Sequence, residues 1–344
     1  MTASIPAIRS ISDWRRAYAD CVTSPEELLH MLGLPSYLLP GARRASALFP
    51  LRVPRGYVAR MQTGNPDDPL LRQVLPLDAE TSDSAGFMDP VGDLRAMPVP
   101  GVLHKYKGRV LLITTGACAI NCRYCFRRHF PYADANASDR QWDAALAYIR
   151  EDDSVSEVIL SGGDPLVLAD HKLHYLVARL ADIAHVERLR IHSRLPVVLP
   201  ERVTDGLLDS LAGNRLQPVM VLHANHGAEL DASVHAACAA LRGAGTTLLN
   251  QTVLLRGVND DTAALEDLSL RLFAMGVLPY YLHALDPVRG AAHFLVSEQR
   301  AADLAAELAD RLPGYLVPRL VRELAGEPGK TPLTTPRHRE TRSS

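Results

Sequence analysis

From Arg109 to Leu285, short β-rich runs alternate with segments that carry apolar residues at helical spacing. The strand candidates are RVLLITTG, SEVILSG, RLRIHSR, PVMVLHAN, TLLNQTVLLR and LPYYLHAL. Between them lie SDRQWDAALAYIRED, HKLHYLVARLADIA, ERVTDGLLDSLAG, DASVHAACAALRGAG and DDTAALEDLSLRLFAMG. These segments put apolar residues on one helical face, and several end at glycine. A strand–helix rhythm of this kind builds a parallel sheet, so the chain is α/β. Both a doubly wound sheet and a barrel accommodate it. Six such units fall short of the eight of a closed TIM barrel, which points to a partial (βα)6 barrel. In either arrangement function gathers at the C-terminal ends of the strands.

Residues 1–100 differ. They hold short helical pieces such as SPEELLHMLGL, and proline-rich connections such as GNPDDPLLRQVLP and DPVGDLRAMPVPG. They are expected to form an N-terminal helical extension packed on a barrel of residues 101–335, with residues 336–344 as a polar tail. The N-terminal MTASIPAIRSISDWRR lacks the apolar core of a secretory signal, and no run approaches the roughly 20 apolar residues of a membrane span. A cytoplasmic protein is expected. Lys+Arg number 37 against 39 Asp+Glu, a net charge of -2, which argues against a general electrostatic hold on nucleic acid or anionic membrane.

Five cysteines are too few for a disulfide framework. Three of them, Cys118, Cys122 and Cys125, crowd into GACAINCRYCFRRHF with the spacing C-x3-C-x2-C, directly after the first barrel strand and ahead of a helix beginning near Ser138. Thiolates are soft ligands for iron–sulfur clusters or zinc, and a closed site takes four ligands. No fourth cysteine is nearby, which leaves a [4Fe–4S] cluster with one open iron, zinc with His129 as fourth ligand, or three coincidental buried thiols. Cys21 and Cys238 stand apart and read as plain apolar residues.

The second strand ends in Ser161-Gly162-Gly163-Asp164, where glycines let backbone approach a ligand closely. Arg194, ending the third strand, is either a carboxylate partner or a surface arginine. Lys330, in GEPGKTPL, has the chemistry to form a Schiff base in a closed site.

The blocks DDPLLRQVLP, HKYKGRVLLIT, the cysteine motif with RRHF, SGGDPL, SRLPVVLP, HANH, NQTVLLRGVND, PYYLHALD and GKTPL occur in that order. Together they resemble the lysine 2,3-aminomutase family of radical S-adenosylmethionine (SAM) enzymes over about residues 60–335. The length and the segments LHALDPVRGAAHF and RELAGEPGKTPL are similar to the short branch of that family, linked to modification of elongation factor P (EF-P). The resemblance implies a radical SAM partial barrel and an isomerase that converts L-lysine to β-lysine. It implies three cofactors: a [4Fe–4S] cluster on Cys118, Cys122 and Cys125, SAM on its open iron, and pyridoxal 5′-phosphate (PLP) on Lys330. It places SAM near Ser161, Gly162, Gly163, Asp164 and Arg194, and PLP near Lys105, Tyr106, His223 and Gln251. It assigns Arg127 to the substrate carboxylate, and Asp286 and Glu323 to its ε-ammonium.

Two positions depart from the larger relatives, which commonly carry Asp at Glu323 and Arg at Lys105. The expected partners are L-lysine, an electron donor, and, without required contact, EF-P and its lysyl ligase. Two acids at one end of the substrate favour lysine over glutamate. A glutamate 2,3-aminomutase or another radical SAM/PLP mutase is the enzymatic alternative. An iron–sulfur or zinc-binding regulatory protein is the non-enzymatic one. His226 and His283 read as lining or core histidines.

Overall fold

The computed structural model describes residues 11–132 and 139–333. Among the described residues one nine-stranded sheet runs in sequence order, β1 to β9, with no pairing between its two edges. The strands are β1 Val102–Tyr106, β2 Arg109–Thr115, β3 Glu157–Gly162, β4 Arg188–Ser193, β5 Gln217–Leu222, β6 Thr247–Val253, β7 Leu278–His283, β8 Arg319–Arg322 and β9 Thr331–Pro332. From β2 to β8 every neighbouring pair is parallel, whereas β1 and β9 run antiparallel to their neighbours. Helices connect consecutive parallel strands, among them Asp139–Glu151, Asp170–Ala181, Ala232–Gly243 and Thr262–Ala274. The architecture is a partial TIM-type α/β barrel.

All six strands expected from the sequence are present, as β2 to β7. The barrel has one parallel strand more than the six-unit reading, because β8 returns through helix Glu298–Arg311 to pair with β7. The cysteine loop follows the first parallel strand, but antiparallel β1 precedes that strand. The helix expected near Ser138 runs from Asp139 within the described residues. The 336–344 tail lies outside them.

The N-terminal part contributes helices Ile11–Ala19, Pro25–Met31 and Leu39–Leu48 and several shorter ones. Ser24 caps the second of these: its hydroxyl accepts from the Glu27 amide at 3.2 Å, with Pro25 in the first turn. Their apolar faces are not separate from the barrel. Trp14, Leu28, Tyr57 and Leu70 belong to the same buried cluster as Leu112, Leu146, Leu160 and Leu248. Among the described residues no helix is long and apolar enough to cross a membrane.

A buried ion triad fastens this N-terminal part to the cysteine loop. Glu80 accepts from Arg123 Nε at 2.9 Å and from Arg128 Nη2 at 2.7 Å, and its side chain is fully buried. Arg123 also donates to the Phe49 carbonyl at 2.7 Å. Removing one partner of such a group strands the others without compensation. Glu80→Ala is therefore expected to cost about 3–5 kcal/mol of stability, read as a fall in the denaturation midpoint. A midpoint unchanged from the wild type would contradict that anchoring role.

Candidate active site

The residues assigned to the cluster, SAM, PLP and the substrate all line one cavity of about 630 Å³, which reaches from the strand starts at Arg109 and Glu157 to the C-terminal ends of the parallel strands. The strands bring them there in turn. β2 leads into the cysteine loop, β3 into the Gly162-Gly163 turn, β4 into Arg194, β5 into His223, and β7 leads to Asp286. The last wall comes from a hairpin: the antiparallel pair Arg322↔Thr331 makes neighbours of the residues just beyond it, Glu323 and Lys330. Lys330 Nζ donates to Glu323 Oε2 at 2.8 Å.

At one end, Cys118, Cys122 and Cys125 share the cavity wall, and all three are free thiols. The loop carrying them is stitched to the N-terminal part, with the Asn121 amide donating to the Arg52 carbonyl and the Arg123 amide to the Gln73 carbonyl, both at 2.9 Å. Burial pushes the Cys125 thiol up to about 11, reinforced by neighbouring Cys122. Burial likewise holds Cys118 well above its ordinary value, with Asp164 and the other two cysteines adding to the effect. Bare thiolates are thus unfavourable here, and a cationic cluster is the compensation such a site calls for. No three His, Cys, Asp or Glu side chains converge on a single ion among the described residues. His129 points elsewhere, its Nε2 lying 3.0 Å from the Arg289 carbonyl. The donor set therefore fits a polynuclear iron–sulfur cluster, one thiolate to each of three irons, better than zinc completed by His129.

The glycine turn is forced by the cysteine loop itself. Gly162 has φ +119°, and a Cβ on it would stand 2.6 Å from the Thr115 carbonyl oxygen. A Cβ on Gly163 would stand 2.4 Å from that of Ala117. The Asp164 amide donates to the Ala117 carbonyl at 2.9 Å, and Tyr132 Oη donates to the Gly162 carbonyl at 2.8 Å. Asp164 uses its carboxylate to tie β3 to β4, accepting from Ser193 Oγ and the Arg194 amide, each at 2.7 Å.

Arg194 is 4% exposed, so it is not a surface arginine. It donates to Glu229 Oε2 at 2.9 Å, Gln73 Oε1 at 2.6 Å and Tyr124 Oη at 2.8 Å, and reaches Cys122 Sγ.

Beyond the cysteines the cavity is rich in charge. Lys105 Nζ lies 2.8 Å from Glu323 Oε1 and 2.5 Å from Asp93 Oδ1. Asp93 Oδ2 lies 2.6 Å from Arg127 Nε, and Arg127 Nη1 donates to Ser161 Oγ at 3.2 Å. Burial works against the charge on Glu323, yet Lys330 and Lys105 hold its carboxyl well below the usual range. Asp286 goes the other way: burial, and then the charge on Glu323, push it up to about 7. His223 is drawn down to about 3 by burial and the nearby arginines, so it is neutral. Its Nε2 accepts from Gln251 Nε2 at 2.9 Å, which assigns the ring proton to Nδ1.

Several lining residues were not anticipated: Asp93, Arg109, Arg190, His192 and Tyr281. Arg190 and His192 alternate along β4, with Arg194 just beyond it at the same spacing, and this two-residue period is the available signal. The Nε2 atoms of His192 and His283 are buried without a partner, as is Nε of Arg190. Unpartnered donors and acceptors around a lysine, with arginines beside them, fit a polar aromatic cofactor that carries a phosphate. His226 lies outside the lining and instead caps residues 227–229 through its Nδ1. Cys21 is buried against the Ala119 carbonyl, and Cys238 is buried in helix Ala232–Gly243, its thiol pushed up to about 12 by burial.

Comparison with known proteins gives a consistent picture. Residues 112–268 match the Radical SAM superfamily. The chain is 52% identical over 327 residues to L-lysine 2,3-aminomutase of Escherichia coli (strain K12), covering 94% of this chain and 95% of that protein. It is 47% identical over 327 residues to the L-lysine 2,3-aminomutase of Haemophilus influenzae, covering 95% and 97%. Against the L-lysine 2,3-aminomutase of Clostridium subterminale, identity is 35% over 325 residues, covering 94% of this chain and 78% of that protein. At these identities over nearly the whole length, the chain belongs to the L-lysine 2,3-aminomutase family of radical SAM proteins.

Proposed function

We propose that the protein is an isomerase that moves the 2-amino group of L-lysine to carbon 3, giving β-lysine. The observation that carries this reading is the pairing, within one cavity, of a cationic clamp at Arg127 with two carboxylates at Asp286 and Glu323, between three cysteine thiols and Lys330. A cluster with SAM supplies a hydrogen-abstracting radical, and PLP supplies a π system that delocalises an unpaired electron.

The chain's own residues do the rest. Cys118, Cys122 and Cys125 would hold three irons and leave the fourth for SAM, flanked by Ser161, Gly162, Gly163, Asp164 and Arg194. Lys330 would bond the PLP aldehyde, with Lys105, Tyr106, His223 and Gln251 around the cofactor. Arg109, lining the same cavity, adds positive charge suited to its phosphate, and Arg190, paired with Glu157 at 2.7 Å, offers its remaining Nε. Arg127 presents a guanidinium fork to the substrate α-carboxylate. Asp286 and Glu323 take the ε-ammonium, which a glutamate side chain would instead meet with like charge. The cavity walls exclude water from a reactive radical and hold the reacting atoms in register. In this reading residues 1–100 form the extension and 101–335 the catalytic barrel of a cytoplasmic enzyme. Its β-lysine supplies the modification of EF-P through a separate ligase.

A titration follows from Asp286. The ε-ammonium binds its ionised form, and its carboxyl titrates at about 7. Affinity for L-lysine is therefore expected to rise from about pH 6 to about pH 8 and then level off. Asp286→Asn is expected to flatten that dependence and weaken binding by about tenfold or more, the scale of one charged hydrogen bond. Absorbance titration of PLP-loaded, SAM-free protein with L-lysine at each pH reads both effects. A wild-type affinity indifferent to pH would remove Asp286 from ammonium binding.

The function itself is tested by anaerobic incubation with SAM, PLP, a reductant and either L-lysine or L-glutamate, followed by chiral product analysis. β-Lysine from the first and no β-glutamate from the second is the expected pattern. Turnover of glutamate in place of lysine would overturn the proposal.

A further inference from the structure

The two ends of the proposed substrate site follow strands that do not pair with each other directly. Arg127 follows β2 on the cysteine loop, and Glu323 follows β8. These strands lie near opposite edges of an open sheet, six places apart in its order. The backbone route between the group that grips a carboxylate and the one that grips an ammonium thus runs through six successive ladders, and a second route is shorter.

Side chains span that gap. Arg127, Asp93, Lys105, Glu323 and Lys330 form an unbroken row of alternating charge, with successive contacts of 2.6, 2.5, 2.8 and 2.8 Å. Asp93 is its keystone. It is 1% exposed, and each carboxylate oxygen faces a different cation. The turn that presents it is itself held, because the amides of Asp93 and Leu94 donate to the Asp89 carboxylate at 2.9 and 3.0 Å. The same turn offers the Val91 carbonyl to Lys105 Nζ at 2.8 Å. By occupying Nε of Arg127, Asp93 fixes the roll of the guanidinium about its long axis. Nη1 then rests on Ser161, and the outer edge of the fork is left for a ligand. By holding Lys105 from the other side, Asp93 also steadies the cation against which Glu323 is seated.

We propose that Asp93 is a positioning residue that sets the reach between the carboxylate clamp and the ammonium acceptor, and with it the preference for an amino acid of lysine's length. The inference rests on the assignment of Arg127 and Glu323 to the two ends of the substrate. It predicts a change in selectivity, which a purely structural residue would not produce. A rigid span matches one chain length, so loosening it weakens the matched ligand more than a mismatched one.

The test uses full-length protein loaded with PLP and with its cluster reconstituted. Asp93→Asn keeps the shape and removes the charge. SAM-free absorbance titration is expected to show the Kd for L-lysine raised about tenfold or more, the scale of one charge-assisted hydrogen bond. KM is expected to rise with it while kcat stays within about threefold. The preference for L-lysine over L-ornithine, shorter by one methylene, is expected to narrow. Asp93→Glu, which keeps the charge, is expected to recover part of the lysine affinity.

An unchanged Kd, an equal loss for both amino acids, or a loss confined to kcat would each overturn the proposal. If Asp93→Asn does not fold, Asp89→Asn loosens the same turn and is expected to narrow the preference to a smaller degree. An unchanged preference in that variant overturns the proposal as well. Wild-type protein that forms no β-lysine would sink the assigned function. Wild-type protein that forms β-lysine beside an Asp93→Asn variant with ordinary selectivity would sink this inference alone.

Discussion

Alanine at any one of Cys118, Cys122 or Cys125 is expected to abolish both SAM cleavage and β-lysine formation. In the proposed site each thiol serves one iron, and the loop offers no spare: Arg128, His129 and Tyr124 are committed to Glu80, the Arg289 carbonyl and Arg194 respectively. A buried cluster short of one thiolate has no charged ligand to replace it. Iron content after anaerobic reconstitution is expected to fall well below four per chain, with loss of the cluster's absorbance. The PLP band is expected to survive, because Lys330 belongs to the hairpin on the opposite wall. Cys238→Ala is the matched control, since that thiol sits in a helix of the core and not in the cavity. A cysteine-loop variant that kept full iron and full turnover would contradict the cluster assignment.

Lys330→Ala is expected to be comparably severe by a different route. Without its amine no covalent bond to the PLP aldehyde forms, and turnover is expected to drop by at least about a thousandfold. Borohydride reduction separates this from a general loss of structure. In the wild type it is expected to fix the cofactor mass on the peptide containing Lys330, and in the variant on no peptide. The iron content of the variant is expected to match the wild type. The substitution also removes one of the two cations on Glu323, so the remaining carboxylate depends on Lys105 alone. A trapped cofactor that appeared on Lys105 instead would reassign the lysine while leaving the cavity's role intact.

Much of this site was legible in the chain. Six strands announced themselves by β-rich runs between helices, and the chemistry-bearing residues followed those runs, which put them at one end of the barrel. The motif residues from Cys118 to Asp286 meet in one cavity for that reason. Other parts were hidden by length. β8 spans four residues and β9 two, too short to show a period, so the hairpin joining Glu323 to Lys330 left no pattern to read. β1 follows a proline-rich stretch and reads as its continuation.

From the sequence, the glycines of the Gly162-Gly163 turn read as room for a ligand. In the structure their missing side chains make room first for the backbone of the cysteine loop at Thr115 and Ala117. Asp93 could not be found from sequence, since an aspartate among prolines looks like a turn residue. Its role depends on Arg127 and Lys105, 34 and 12 positions away, arriving on either side of it. His192 and Arg190 were within reach of the two-residue period of β4, where only Arg194 was singled out.

In the proposed function the cysteine-bound cluster with its SAM, and the lysine-bound cofactor with its substrate, work on one another across a single cavity. L-Lysine carrying two deuteriums at carbon 3, incubated anaerobically with reconstituted enzyme, unlabelled SAM, PLP and a reductant, tests this. The expected result is deuterium in the SAM recovered at the end, together with β-lysine that carries deuterium at carbon 2 beside the one deuterium that stays on carbon 3. β-Lysine with no deuterium at carbon 2, formed beside unlabelled SAM, would overturn it.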